Sequence, residues 1–414
     1  MVSTWQNSLA QLKEFIKDNP SIEISENCIS IPGDVRPEFY RQFDIIRTDF
    51  LKDNFPSSLE KGYELSKEFA EIYKEAIAAS GLESISVRAA VNWFLQDPVN
   101  GLMRSLFDPI FNLIRGKLSE QAFAESATRL IDDAFDDYFR EGYERWILLG
   151  LLSLMQPDKN YFINSGDFHT DSEVSGGAIT AGMREEPLET VIESKKLAFN
   201  VTSISSFIVP RVLFHTQRLG CYVGIHTDFT EAYWRARGKS ERVEWFKIKT
   251  LTEEFGRSRL WPDLLIYTTK DLDDLRLVAD CDWVARPDII VEVEESVGWY
   301  EKGGLDIARR HIAALKPRLG CYIVCRNTPP VEACDAIMSK PPTATQATPS
   351  NIATQESSGG VIGDDALAPS QITQELVSPP AEPFIRIIHA GYDFKTLDSI
   401  VEELGKEKLV TGNK

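Results

Sequence analysis

"RPDIIVEVEES", Arg286–Ser296, decides how the second half of this chain is read. Ile289, Ile290, Val291 and Val293 form a short β-branched apolar run, the texture of a buried strand. Glu292, Glu294 and Glu295 crowd its end. Burying a carboxylate is costly unless it is paired, hydrogen-bonded or bound to a metal. Side chains alternate along a strand, so Glu292 and Glu294 share one face. Glu295 is expected in solvent, and Asp288, after Arg286-Pro287, in the turn that enters the strand.

The flanking stretches read as strands and helices in alternation. Upstream, "WPDLLIYTT" (Trp261–Thr269) is a strand with Asp263 at its mouth, directly after Pro262. "RLVADCDWVA" (Arg276–Ala285) is a further strand bearing Asp280 and Asp282, and "GCYVGIH" (Gly220–His226) another. Downstream, a helix near Gly304–Leu315 carries Arg309, Arg310 and His311, with Lys316 just beyond it, and leads into the strand "GCYIVCR" (Gly320–Arg326). A second helix is expected near Glu231–Phe255. The pentapeptide "RLGCY" occurs at Arg218–Tyr222 and Arg318–Tyr322, each copy expected to end a helix and begin a strand. The order is that of a mixed α/β domain.

An Asp on one strand and an acidic pair on its neighbour form a donor set suited to Mg²⁺, which prefers oxygen ligands and needs only a couple of carboxylates. The bland alternative is a salt-bridged strand end, with the acids paired to Arg309 or Arg310.

Over roughly residues 231–326 the chain resembles the PD-(D/E)xK nuclease superfamily, the restriction-endonuclease-like fold. Pro262-Asp263 matches its "PD", "VEVEE" its acidic strand, and "DIARRHIAALKPRLGCYIV" the helix and strand that follow. The resemblance implies an α-β-β-β-α-β core and a Mg²⁺-dependent endonuclease acting on DNA, in a restriction or defence setting. It implies Asp263 and Glu292 as metal ligands, Asp282 as the alternative first ligand, and Glu294 as a further site carboxylate. Arg309, Arg310 and Lys316 would contact phosphates. Two departures stand out. The Lys expected two residues after Glu292 is Glu294; some members use Glu there and others move the Lys to a neighbouring helix, for which Lys302 is the nearest candidate. A helix glutamate often completes such sites, and Glu244, Glu253 and Glu254 are candidates. The missing Lys keeps a second expectation open: an inactive nuclease-like scaffold that binds a protein partner.

Residues 1–157 read as a helical domain, to which target recognition, a protein partner or homo-oligomerisation would fall. "SSLEKGYELSKEFAEIYKEAIAAS" (Ser57–Ser80) has helical apolar spacing, and Ser119 and Glu120 read as caps of a long amphipathic helix ending near Met155. Its Asp132, Asp133, Asp136 and Asp137 read as a solvated face. Residues 158–187 are expected as a junction loop, 188–326 plus 384–409 as the nuclease-like domain, and 327–383, rich in Pro, Ser and Thr, as a disordered insertion.

The 414 residues carry a net charge of −18, which argues against nonspecific coating of nucleic acid by the whole surface. Basic residues concentrate in Tyr233–Lys249 and Gly303–Arg326, on either side of the acidic strand. "WILLGLLSLM" (Trp146–Met155) is too short to span a bilayer, and "MVSTWQNSLAQLKEF" lacks the pattern of a signal peptide, so a cytoplasmic location is expected. The six cysteines form no C-x-x-C pair; Cys321 and Cys325 share a strand face and read as small buried hydrophobes ahead of a zinc site. No nucleophile elbow, Walker loop or H-E-x-x-H motif occurs, and the five histidines are dispersed.

Overall fold

A computed structural model describes residues 3–165, 189–199, 212–227, 245–247, 261–275, 283–338 and 384–411. The first part is helical: α1 (Thr4–Asp18), α2 (Arg36–Asn54), α3 (Pro56–Ser80), α4 (Ala89–Gln96), α5 (Pro98–Met103), α6 (Phe107–Ile114) and α7 (Glu120–Met155). Short strands β1 (Glu23–Ile24), β2 (Ile29–Ser30) and β3 (Ser84–Ser86) lie among them. Local chemistry sets the ends. Pro56 opens α3, and Gly81 closes it at φ +65°, a left-handed turn that only Gly adopts without strain. The Ser119 hydroxyl caps α7 by accepting from the Ala122 N–H (3.2 Å).

The second part is built from β4 (Pro157–Ser165), β5 (Glu189–Glu193), β6 (Lys196–Ala198), β7 (Val212–Thr216), β8 (Cys221–Thr227), β9 (Trp245–Lys247), β10 (Leu264–Thr269), β11 (Trp283–Ala285), β12 (Ile289–Glu294), α8 (Gly304–Leu315), β13 (Gly320–Cys325), α9 (Val331–Met338), β14 (Phe384–His389) and α10 (Asp398–Thr411). An eight-stranded sheet runs in the order β14-β13-β12-β10-β8-β7-β4-β5. β12, β13 and β14 are mutually parallel, and every other neighbouring pair is antiparallel. The chain is therefore mixed α/β with a helical N-terminal region, as its texture indicated. Among the described residues no helix is long and apolar enough to cross a membrane.

Alternation assigns the two faces. Ile289, Val291 and Val293 of β12, with Tyr322 and Val324 of β13, join one core with α7 and α10. Ile290, Cys321, Ile323 and Cys325 face the other way, against Leu305, Ala308, Ala314 and Leu315 of α8. The first core is continuous from Trp5 in α1 to Leu404 in α10, so the helical region and the sheet bury their apolar surfaces together. Gly150 permits part of this closeness: a Cβ there would meet the Phe394 Cβ at 2.9 Å. Tyr143 stacks on Trp146 and donates its hydroxyl to the Gly391 carbonyl (3.0 Å), and β3 pairs with β6.

Several segments differ from expectation. Residues 158–165, expected to begin the junction loop, belong to β4, because Tyr161 and its neighbours find a partner strand in β7. Residues 245–247 are strand, paired to β11, where a helix was expected. The start of the 327–383 segment forms α9, which buries Ala333 against the α8 face; residues 339–383 lie outside the described residues. The first "RLGCY" spans the β7–β8 hairpin turn, with Gly220 at φ +58°, and a strand, not a helix, precedes it. The second follows α8 by a short loop.

Candidate active site

The register of β10 against β12 pairs Leu264 with Val291, which continues to Asp263 opposite Glu292. Asp263 leaves its strand at this point and its Oδ2 accepts the Val293 N–H (2.7 Å), fastening the two strands through a side chain. Glu294 lies two residues beyond Glu292 on the same face. Asp263, Glu292 and Glu294 are thus brought together at the end of β12, on the α8 side of the sheet.

Helix α8 supplies the partner for Glu292. His311 sits in the apolar stripe of that helix and is buried, as is Glu292. Its Nδ1 lies 2.6 Å from Glu292 Oε1, and its Nε2 is 3.2 Å from the Trp261 main-chain nitrogen. A main-chain N–H can only donate, so Nε2 accepts and Nδ1 carries the proton given to Glu292. The second Glu292 oxygen is left for other work.

Glu294 occupies the start of α8. Its Oε1 packs against Gly304, where an added Cβ would come within 2.7 Å of it. Burial, then Glu295 and Glu292, push the Glu294 carboxyl up to about 8, with Lys302 pulling the other way. Asp263 is raised well above the usual carboxylate range by burial first, then by Glu144 and Glu292. Glu144, buried on α7, is therefore a fourth member of the acidic group, reaching it from the opposite face of the sheet. Like charges held together in a low-dielectric site favour the protonated form, and a cation relieves that repulsion. The floor of the group is Cys321, whose thiol is raised by burial and by Glu292 and Asp263. Cys325, pushed up to about 12, lies beside Glu294.

Other expected residues fall elsewhere. Lys302 is exposed in the turn before α8, where its charge acts on Glu294 and Glu295. Glu295, expected in solvent, is partly buried with a raised pKa, because β12 ends beneath the loop that its own carbonyl holds through Asn327 Nδ2 (2.9 Å). Arg309 is spent on structure, donating to the Ala336 carbonyl (3.0 Å) and pairing with Asp306 (3.3 Å). Arg310 is partly buried beside His311. Lys316 is exposed at the far end of α8, about 18 Å of helix from its start, and so does not join the carboxylates. Asp288 is buried at that same far end, bound by Thr268 and Arg318. Asp282 and the helix candidates Glu244, Glu253 and Glu254 lie outside the described residues.

Glu144 was missed in the sequence and His311 was placed on its helix without a role, and each left a trace. Glu144-Arg145 interrupts a stretch of α7, Gly142–Ser153, that is buried all round, where a charge demands a partner. His311 falls three residues after Ala308 and four before Leu315, on the apolar stripe of α8. Among the described residues no three acidic, histidine or cysteine groups close around a single ion. The chain matches no protein-family model, no curated protein and no solved structure with which it was compared, so the site is read from its own geometry.

Proposed function

We propose that this protein is a divalent-metal-dependent nuclease that hydrolyses DNA phosphodiester bonds on a restriction-endonuclease-like core. The observation that carries the reading is the pairing of Asp263 and Glu292 across adjacent strands, with Glu294 on the same face. The succession β8, β10, β12, α8, β13, three antiparallel strands followed by a helix and a parallel strand, supports the β-β-β-α-β part of that core.

Mg²⁺ keeps several waters and takes one or two carboxylates, so Asp263 and the free oxygen of Glu292 suit it without a third protein ligand. Bound there it would supply charge neutralisation to a phosphate and acidify a water. The chain's own groups do the rest. His311 fixes the direction of the Glu292 carboxylate, and Glu294, with a pKa near neutrality, is placed to take up or release a proton in the position where a Lys was expected. Lys302 partly offsets the repulsion felt by Glu294.

The test is cleavage of plasmid and oligonucleotide DNA by the purified full chain with Mg²⁺ or Mn²⁺, beside Glu292→Ala and Asp263→Asn. Both variants should be inactive. Full activity in Glu292→Ala sinks the assignment. The scaffold reading is favoured by one observation, Glu294 standing in place of the Lys; absence of Mg²⁺ binding by calorimetry, with a protein partner that co-purifies, would select it.

A further inference from the structure

Trp261, which precedes the Pro262-Asp263 pair, exposes 59% of its surface. A large indole left in water is unfavourable, and one beside a candidate site calls for an account. Its backbone is firmly held: the Trp261 N–H donates to His311 Nε2, and His311 in turn holds Glu292. Through the chain it stands two residues from Asp263, about 7 Å when extended. Pro262 keeps Trp261 out of the helical region. Ile307, also exposed, lies one turn before His311 on α8, and Val297 is exposed in the loop after β12. The segments that flank the carboxylates, the entrance to β10, α8 and the loop after β12, thus expose a small apolar rim of one aromatic ring and two aliphatic side chains.

This rim is too small for a stable protein interface, which buries on the order of 1,000 Å² or more. It suits a single flat apolar group joined to a phosphate within a few ångströms. A base inside a duplex has both faces stacked already and offers none to a ring; an unpaired base does. Resting on the nuclease reading above, we infer that Trp261 is a stacking platform for an unpaired nucleobase next to the bond attacked, which makes single-stranded or locally unpaired DNA the preferred substrate. Stacking of this kind is tolerant of sequence, since every base has a π face.

The experiment uses the full chain with a dye-labelled, mixed-sequence DNA strand, alone and annealed to its complement. Binding is read by anisotropy in Ca²⁺ and cleavage in Mg²⁺, for the native protein, Trp261→Ala, Trp261→Phe and Glu292→Gln. Trp261→Ala keeps the main-chain N–H to His311, and its melting curve checks the fold. The native protein should bind the single strand more tightly than the duplex. Trp261→Ala should weaken single-strand binding about ten- to hundredfold, the scale of base–aromatic stacking, and leave duplex binding unchanged. Trp261→Phe should stay within about threefold of native. Unchanged single-strand binding in Trp261→Ala, preference for duplex, or no binding of the single strand overturns the inference. Trp261-dependent binding without any cleavage leaves the stacking site standing and removes the nuclease reading. Cleavage abolished by Glu292→Gln but indifferent to Trp261→Ala does the reverse.

Discussion

His311 donates its Nδ1 proton to Glu292 Oε1 across 2.6 Å, while the Trp261 N–H closes on its other nitrogen. The imidazole is therefore held in one orientation between a strand entrance and a site carboxylate. His311→Ala should lower activity about 10–100-fold, the range seen when a group orienting a metal ligand is lost. The loss should fall on kcat more than on KM, because the carboxylate loses the donor that fixes its direction. His311→Asn, which can still donate, should recover part of the loss. A His311→Ala variant with native kcat would show that the contact only packs.

Gly304 gives Glu294 its place. A Cβ there would stand 2.7 Å from Glu294 Oε1 and 3.0 Å from the Trp299 carbonyl, which is main chain and yields little. Gly304→Ala should therefore turn the Glu294 carboxylate away and cost activity by an order of magnitude or more, with a stability loss of about 1–3 kcal/mol. Activity assays beside a urea titration separate the two. Native activity in a folded Gly304→Ala protein would remove Glu294 from the chemistry.

The raised carboxylates make stability depend on pH. A carboxyl with a folded pKa of about 8 binds its proton more tightly in the native state than in the unfolded chain, where it titrates near the ordinary 4.5. Its contribution is complete below the unfolded pKa and is lost as pH rises toward 8. Asp263 acts with the same sign. In EDTA the melting temperature should fall between about pH 5 and pH 8, and Glu294→Gln should flatten that slope. Mg²⁺ should restore more stability at pH 8 than at pH 5, since its binding displaces protons. A slope unchanged in Glu294→Gln would refute the assignment to Glu294.

At the opposite end of β12 the buried Asp288 depends on Arg318. Arg318→Ala leaves a carboxylate enclosed with only the Thr268 donors, and should destabilise the fold by about 3–5 kcal/mol in urea. Adding Asp288→Asn to it should recover much of that loss, because the amide needs no counter-charge. A small effect of Arg318→Ala would mean that water reaches the aspartate.

The strands and helices nearest the site were legible because their signals are local. β10, β12 and β13 are short apolar runs buried on both faces, and α8 buries one stripe at helical spacing. The shared face of Glu292 and Glu294 followed from alternation alone. What escaped was long-range. Glu144 approaches Asp263 across more than a hundred residues of chain, and no spacing rule connects them. His311 was weighed against other histidines, whereas its partner is a glutamate on a neighbouring strand. β9 was hidden in a basic stretch with helical texture, because pairing with β11 outweighs local preference.

Helix α7 is 36 residues long, about 54 Å of continuous backbone. Its first half is packed among the helices, while Trp146 and Tyr143 are packed on the turn that follows β14, and Glu144 sits between them in sequence at the edge of the acidic group. A single rigid rod thus joins whatever the helical region grips to the carboxylates it would serve. Neither end can tilt without the other feeling it. Severing the chain between the two parts would therefore yield two halves of one broken core, and any engineering that aims to exchange the gripping surface must keep the rod.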